Sequence, residues 1–117
     1  MQKEEFQEKL ASIEQEFTDV ATQLADLGYE KEQLRMDLSE TKASVDTDVR
    51  INPAKYHVQR ITEAAVHNAV VLNQQYKQVL QQLLEVNRDM DVLEATRESL
   101  KVRLEVLKMT SLLFNQQ

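Results

Sequence analysis

Four side chains between positions 50 and 60 are of the types that hold single-stranded nucleic acid in proteins. The ring of Tyr56 can stack on a base. Cations near that ring can neutralise phosphates, and the start of a helix would add backbone N–H groups and a partial positive charge. The sequence therefore predicts a patch that binds single-stranded DNA, formed by Arg50, Lys55, Tyr56 and Arg60.

The same segment also fits a purely structural role. Tyr56, Arg60, Glu63 and His67 follow one another at spacings of 4, 3 and 4 residues, so a continuous helix would carry them on one face. On that face Tyr56 can cover the end of a helical hairpin. Arg60 can then pair with Glu63 or with a carboxylate of the preceding helix. The sequence leaves both interpretations open.

The charge of the chain is distributed unevenly. The net charge is −6, but residues 1–40 carry eleven acidic and four basic side chains, whereas residues 41–60 carry four basic and two acidic ones. An acidic total argues against nucleic-acid binding over the whole surface. It leaves room for a local basic patch at residues 41–60, and the acidic segment is in turn typical of a surface for a basic protein partner.

Apolar residues at alternating spacings of four and three predict the helix that precedes this patch. Such a seam is typical of a helix in a coiled coil. We therefore predict helix one over about residues 2–44. The residues of its seam are Phe6, Leu10, Ile13, Phe17, Val20, Leu24 and Leu27.

A junction over about residues 45–52 is predicted to separate helix one from helix two. Asp, Thr, Val and Ile in this segment do not favour a continued helix, and a proline restricts the residue before it to extended conformations. Asn52 suits the N-cap of a helix and Pro53 suits its first position. Helix two is therefore predicted over about residues 53–114.

Helix two carries the longer heptad pattern and is predicted to mediate self-assembly. Further apolar residues, among them Val102, Val106, Met109 and Leu113, widen its stripe beyond the seam that two helices need. Small residues near its start allow close approach of another helix. The predicted oligomer interface consists of Ala65, Ala69, Leu72, Val79, Leu83, Val86, Met90, Leu93, Leu100, Leu104 and Leu107.

These patterns predict an all-α protein with a single helical domain. Glycine and proline occur once each and aromatic residues make up 5 %, which does not suit an ordinary globular core. The expected fold is two long helices that form an antiparallel hairpin, or coiled coil. Because helix two is longer than helix one, its apolar face needs a partner chain, so the hairpins are expected to assemble into a helical oligomer.

No pattern typical of an enzyme occurs in the sequence. It lacks a glycine-rich phosphate loop, a nucleophile with its base, and paired carboxylates on a pocket wall. It also has no cysteine, and Glu63 with His67 supplies too few ligands for a metal. We therefore expect no catalytic residue, no cofactor, no metal and no small-molecule substrate.

The sequence also predicts a soluble protein. No apolar run approaches the ~18 residues that span a bilayer. The segment MQKEEFQEKL has neither the basic start nor the apolar core of a signal peptide. The expected location is the cytoplasm, without binding to a membrane.

Three features follow the acidic helix in order: the motif TEAAV at residues 62–66, Tyr76, and the heptad run from Val79 to Leu107. In this order they resemble a group of small phage coiled-coil proteins. The pattern is also similar to the UvsY-type recombination mediators of phages. The resemblance covers about residues 50–114.

The resemblance implies a non-enzymatic accessory protein of phage recombination or replication. Such a mediator forms rings, binds single-stranded DNA and helps to load a recombinase in place of the single-strand-binding protein. The implied partners are further copies of the chain, single-stranded DNA, and a recombinase or single-strand-binding protein in the infected bacterium. The alternative is a protein-only coiled-coil module, such as a chaperone, a structural protein or a host-factor-sequestering protein, which uses the acidic helix one.

Overall fold

The computed structural model describes residues 2–115. It contains helix α1, Lys3–Ile51; a short 3-10 helix, Pro53–Tyr56; helix α2, Glu63–Leu72; and helix α3, Gln74–Asn115. No strand occurs among the residues that the structure describes. The prediction of an all-α protein with long helices is therefore confirmed.

The chain divides into two compact units. The first unit contains the start of α1, up to Gly28, and α3 from Arg88 onwards. The second unit is Tyr29–Asn87, which includes the rest of α1, the 3-10 helix, α2 and the start of α3. The predicted nucleic-acid patch therefore belongs entirely to the second unit.

In the first unit, residues of both heptad seams are buried. Ile13 of α1 is 5 % exposed, and Leu100 and Leu107 of α3 are also buried. At the surface, Arg103 Nη1 of α3 lies 2.9 Å from Glu16 Oε2 of α1. The apolar seams thus form the interior of this unit, and their burial supplies the main stabilising free energy.

Helix α1 is longer than predicted, and the predicted junction at residues 45–52 is wrong. The helix continues through Ile51, because Val45 and Val49 are buried at the positions that continue its apolar stripe. Packing of this kind outweighs the weak helix propensity of β-branched residues. The helix ends where Pro53 disfavours a helical conformation for the residue before it.

The predicted continuous helix over residues 53–114 is also wrong, because the chain breaks it twice. Pro53 does begin a helix, but only the 3-10 helix of four residues. That helix ends at His57, whose φ of 58° is in the left-handed region. Since a left-handed residue cannot continue a right-handed helix, the chain leaves the helix here.

Each of the two α-helices that follow starts at a capping side chain. Thr62 is extended, and its hydroxyl oxygen accepts a hydrogen bond from the Ala65 N–H at 3.1 Å. Asn73 is also extended, and its Oδ1 accepts the Tyr76 N–H at 3.0 Å. Both caps satisfy N–H groups that a helix start leaves free. They place the start of α2 at Glu63 and that of α3 at Gln74.

A small valine core holds the second unit together. Val45 and Val49 of α1 meet Val66 and Val70 of α2 in one buried cluster. The partly buried residues that pack against this core are Tyr56, Val58, Ala69 and Tyr76. The core therefore joins the end of α1, the 3-10 helix, α2 and the beginning of α3.

A helix that spans a membrane must be both long and apolar. None of the helices in the described residues combines the necessary length with sufficient apolar character.

Gly28 lies inside α1 without a structural need for glycine. A Cβ atom at this position would meet no heavy atom within 4 Å, and the residue does not have a positive φ. The site therefore tolerates a side chain, while glycine increases the conformational entropy lost on folding.

We predict that Gly28→Ala raises the free energy of unfolding by about 0.5–1 kcal/mol, since alanine is the better helix former and restricts the unfolded chain. Urea unfolding followed by circular dichroism at fixed protein concentration measures the change. Ala21→Gly, at an exposed position of the same helix, is the matched control and should lower the stability by a similar amount. A loss of stability in Gly28→Ala would contradict the prediction.

Candidate functional site

Two of the four predicted nucleic-acid residues, Lys55 and Tyr56, bind a carboxylate in the last turns of α1. Asp48 Oδ2 accepts a hydrogen bond from Lys55 Nζ at 2.9 Å and another from the Tyr56 hydroxyl. Asp48 Oδ1 accepts from Asn52 Nδ2 at 2.9 Å. We call these four residues the Asp48 cluster. It ties the 3-10 helix back to α1.

Lys55 and Tyr56 also interact with each other. The Lys55 Nζ lies 5.5 Å from the centre of the Tyr56 ring, within the range of a cation–π contact. Tyr56 also packs against the valine core. Both groups that were predicted to contact DNA thus have partners within the chain.

Arg50 is bound by two carboxylates. Its Nε donates to Asp46 Oδ1 at 2.8 Å, one turn earlier in α1. Its Nη2 donates to Glu63 Oε2 at 2.9 Å and to Glu63 Oε1 at 3.1 Å. Because Glu63 is the first residue of α2, Arg50 links α1 to the start of α2.

The electrostatics of the site follow from these contacts. The Tyr56 hydroxyl, with Lys55 and Asn52, holds the pKa of Asp48 well below its usual range. The Asp48 carboxylate in turn raises the pKa of Lys55 and that of Tyr56. Hydrogen bonds to Glu63 and then Asp46 raise the pKa of Arg50. Asp48, Lys55 and Arg50 therefore stay charged near neutral pH.

The site is not basic once its counterions are included. Arg50 and Lys55 supply two cations, and three carboxylates contact them, those of Asp46, Asp48 and Glu63. Two of the three predicted cations, Arg50 and Lys55, are thus paired with acidic groups of the chain. A phosphate bound to Arg50 or Lys55 would therefore lie close to carboxylates that repel it.

Arg60 differs from the other cations of the predicted patch. It lies in the non-helical segment before α2 and lines an open depression of about 390 Å³ with Tyr56, His57 and Leu72. Among the residues that the structure describes, it forms no ion pair. Arg60 is therefore the one predicted DNA contact whose charge is uncommitted within residues 2–115.

The predicted helical face of Tyr56, Arg60, Glu63 and His67 does not exist, because residues 57–62 are not helical. The pairing of Arg60 with Glu63, one of the alternatives left open by the sequence, does not form, and Arg50 binds Glu63 instead. Tyr56 packs against the valine core at the turn between α1 and α2. The contacts of Tyr56 thus fit a structural role, in which its ring covers the turn after α1.

Most of the predicted oligomer-interface residues are buried or partly buried by contacts within one chain. Three of them are buried: Val86, Leu100 and Leu107. Seven are partly buried: Ala65, Ala69, Val79, Leu83, Met90, Leu93 and Leu104. Leu72 alone in this set is exposed, at 67 %.

Sequence reasoning missed the counterions of the site. The signal for Asp46 was present, because a carboxylate four residues before an arginine forms an ion pair on a helix. The signal for Asp48 was not local, since its partners follow the end of the helix and their positions depend on the turn. Within the described residues, no group of three or more His, Cys, Asp or Glu side chains is arranged to hold a metal.

The chain was compared with known proteins in three ways. Protein-family models, curated proteins and solved structures give no match to it. The resemblance to phage recombination mediators therefore stays a prediction.

The Asp48 cluster predicts a stability that depends on pH. Because the pKa of Asp48 is lowered in the folded chain, its stabilising effect is present above the unfolded value of 3.8 and is lost as the pH falls through the folded value. We expect Asp48→Asn to be less stable than the wild type at pH 7. The difference should shrink as the pH falls below about 4.

Thermal unfolding of both proteins between pH 2 and pH 7, in about ten buffers of equal ionic strength, measures this difference. Asp37→Asn is the control, since Asp37 is exposed and forms no ion pair with the described residues. A constant difference between Asp48→Asn and the wild type at every pH would show that the carboxylate charge does not stabilise the turn.

Proposed function

We propose that the chain is a non-enzymatic protein-interaction module: a helical hairpin that assembles with copies of itself and binds a basic protein through α1. An antiparallel hairpin is supported by the neighbours in the first unit. Residue 16 of α1 pairs with residue 103 of α3, whereas Gln23 and Leu27 share a depression with Asp89 and Leu93. Higher numbers on α1 therefore meet lower numbers on α3.

The observation that carries the proposal is the contrast between paired and unpaired charge. In residues 3–28, seven acidic side chains accompany two basic ones. Glu5 pairs with Lys9 and Glu16 with Arg103. The acidic residues of this segment that are exposed and form no ion pair within the described chain are Glu4, Glu8, Glu14, Asp19 and Asp26.

These five residues, which we call the acidic surface, favour a basic protein as partner. Complementary charge accelerates encounter and selects against partners of the same sign. The acidic surface repels phosphate for the same reason. The cations that would attract phosphate are meanwhile held by Asp46, Asp48 and Glu63. Charge therefore favours a protein partner over nucleic acid.

A second candidate function is the one implied by the resemblance, an oligomeric single-stranded DNA-binding mediator that acts with a recombinase or a single-strand-binding protein. The specific observation in its favour is the position of Arg60 beside Tyr56 at an open depression. A free guanidinium next to an aromatic ring is a suitable contact for a nucleotide. This candidate needs DNA to bind despite the negative surroundings.

One experiment separates the two functions. Binding of a labelled single-stranded oligonucleotide is measured at low and at physiological salt, and the solution mass of the protein is determined in the same buffers. A multimer that binds no DNA at either salt supports the interaction module. Binding that falls steeply with salt supports the mediator. A monomer in all buffers would contradict the self-assembly that both functions include.

The structure also predicts how variants would behave if DNA is bound. We expect Arg60→Ala to weaken binding about tenfold or more and to lower the salt slope by about one, as the loss of one phosphate contact does. Lys55→Ala should weaken it less, because Asp48 already holds Lys55. Titrations over a range of salt concentrations measure both effects.

Lys42→Ala serves as the control for net charge, since Lys42 is an exposed residue of α1 outside the turn. Equal losses for Arg60→Ala, Lys55→Ala and Lys42→Ala would indicate binding through general charge. The assignment of Arg60 to a nucleotide contact would then be wrong.

A further inference from the structure

Helix α3 carries a second apolar stripe that the chain itself does not cover. Its five large residues are each more than half exposed: Val92, Val102, Val106, Met109 and Leu113. With Ala95 and Ser99 they recur at spacings of 3, 4, 3, 4, 3 and 4 residues. This is the heptad spacing of a coiled-coil seam. We call these seven residues the outer stripe.

The outer stripe is centred on a different face of α3 from the seam that is buried in the chain, although Val102 and Val106 border an open depression with Ile13 of α1. Leu100 and Leu107 belong to that inner seam and are 2 % and 7 % exposed, whereas Val102 and Val106 are 60 % and 57 % exposed. At 100° per residue the centres of the two stripes are about 160° apart. The inner and outer stripes are therefore two separate faces of one helix.

We propose that the outer stripe is the contact between two copies of this chain, which pair through α3 in parallel and in register. The proposal rests on the self-assembly included in the proposed function and names its surface and orientation. The concentration of exposed apolar side chains on one face is typical of an interaction surface. The unbroken heptad spacing indicates that the partner surface is a helix.

The charges beside the outer stripe indicate that the partner helix is α3 of a second copy. When Val92 is assigned to position a of this second heptad, Glu98 is at position g and Arg103 at position e. In a parallel pair, position g of one helix faces position e of the next heptad in the other helix. Glu98 of each copy therefore faces Arg103 of the other, and the two-fold symmetry makes this contact twice.

An antiparallel pair would be opposed by the same charges. It would align the row of g positions with itself, so that Glu98 of one copy would approach Glu105 of the other. In the antiparallel alignment displaced by one heptad, Glu105 of one copy would instead approach Glu105 of the other, and Arg103 would approach Arg103. Both alignments join like charges, which raises the free energy of the antiparallel pair. The outer stripe is thus self-complementary in the parallel orientation only.

Two further features are compatible with a parallel pair. The β-branched Val92 and Val106 occupy position a, which two-stranded parallel coiled coils favour for such residues. The Arg103–Glu16 ion pair is about half exposed and uses only one of the guanidinium nitrogens. Arg103 has further N–H donors for a second carboxylate, so the contact to Glu98 does not require the pair with Glu16 to break.

The experiment on orientation uses disulfide formation in the full-length chain, which contains no cysteine. Val92→Cys and Leu113→Cys place a thiol at opposite ends of the outer stripe, both at position a. In a parallel pair the cysteine of one chain faces the same cysteine of the second chain, so each variant forms a disulfide dimer under mild oxidation. In an antiparallel pair the two equal positions would be roughly 25–40 Å apart, so neither variant would cross-link with itself. Position a would face position d, and only a mixture of Val92→Cys with Met109→Cys, or of Leu113→Cys with Ala95→Cys, would cross-link.

The experiment on the surface uses the double variant Val102→Glu/Val106→Glu. Four carboxylates at the centre of the contact should raise the dissociation constant of the dimer on the order of 100-fold or more. Both positions are exposed within the chain, so far-UV circular dichroism should show an unchanged helix content. Met36→Glu, at an exposed apolar residue of α1, is the control and should leave the dimer intact.

The outcomes separate this inference from the proposed function. A wild-type dimer that dissociates in the double variant, together with self-cross-linking of Val92→Cys, is the expected result. A wild-type multimer that the double variant does not change would overturn the outer stripe as the contact and leave self-assembly standing. Cross-linking only in one of the mixtures would overturn the parallel orientation. A monomeric wild type would overturn both proposals.

Discussion

The carboxylate of Asp48 is the point on which the turn after α1 depends. It lies inside the last turns of α1, yet the three side chains that donate to it, Asn52, Lys55 and Tyr56, all follow the end of that helix. Exposed ion pairs alone contribute little to stability. Here they hold the 3-10 helix so that Tyr56 packs against the valine core, and the burial of that core supplies the larger free energy.

The parts of this fold that could be predicted from the sequence are those with local signals. The heptad spacing predicts the helical character of α1 and α3, and Thr62 and Asn73 are residues that commonly cap helices. The end of α1 could not be predicted in this way. Val45 and Val49 have weak helix propensity, and they are helical because α2 packs on them. That contact depends on a turn whose geometry is not local.

Most of the charge pairing in the candidate site also could not be predicted from the sequence. Residue types predicted cations beside a ring, and the structure does place Lys55 beside Tyr56. The counterions are acidic residues, such as Asp48 and Glu63, which a search for basic residues does not consider. On α3, the sequence suggested one wide apolar stripe. Exposure separates it into two faces, because adjacent residues of a helix point in directions about 100° apart.

The outer stripe and the acidic surface both belong to the first unit of the chain. Asp26 borders the same depression as Val92 of the outer stripe, so two copies joined along that stripe would leave the acidic surface of each copy open at its other four carboxylates. A dimer would then present two identical surfaces, and a basic partner with two matching sites would bind them in one complex. The second contact would be intramolecular and would profit from a high effective concentration. Modest attraction at each exposed carboxylate, which is weak and screened by salt when it acts alone, would in this way give a specific and stable complex.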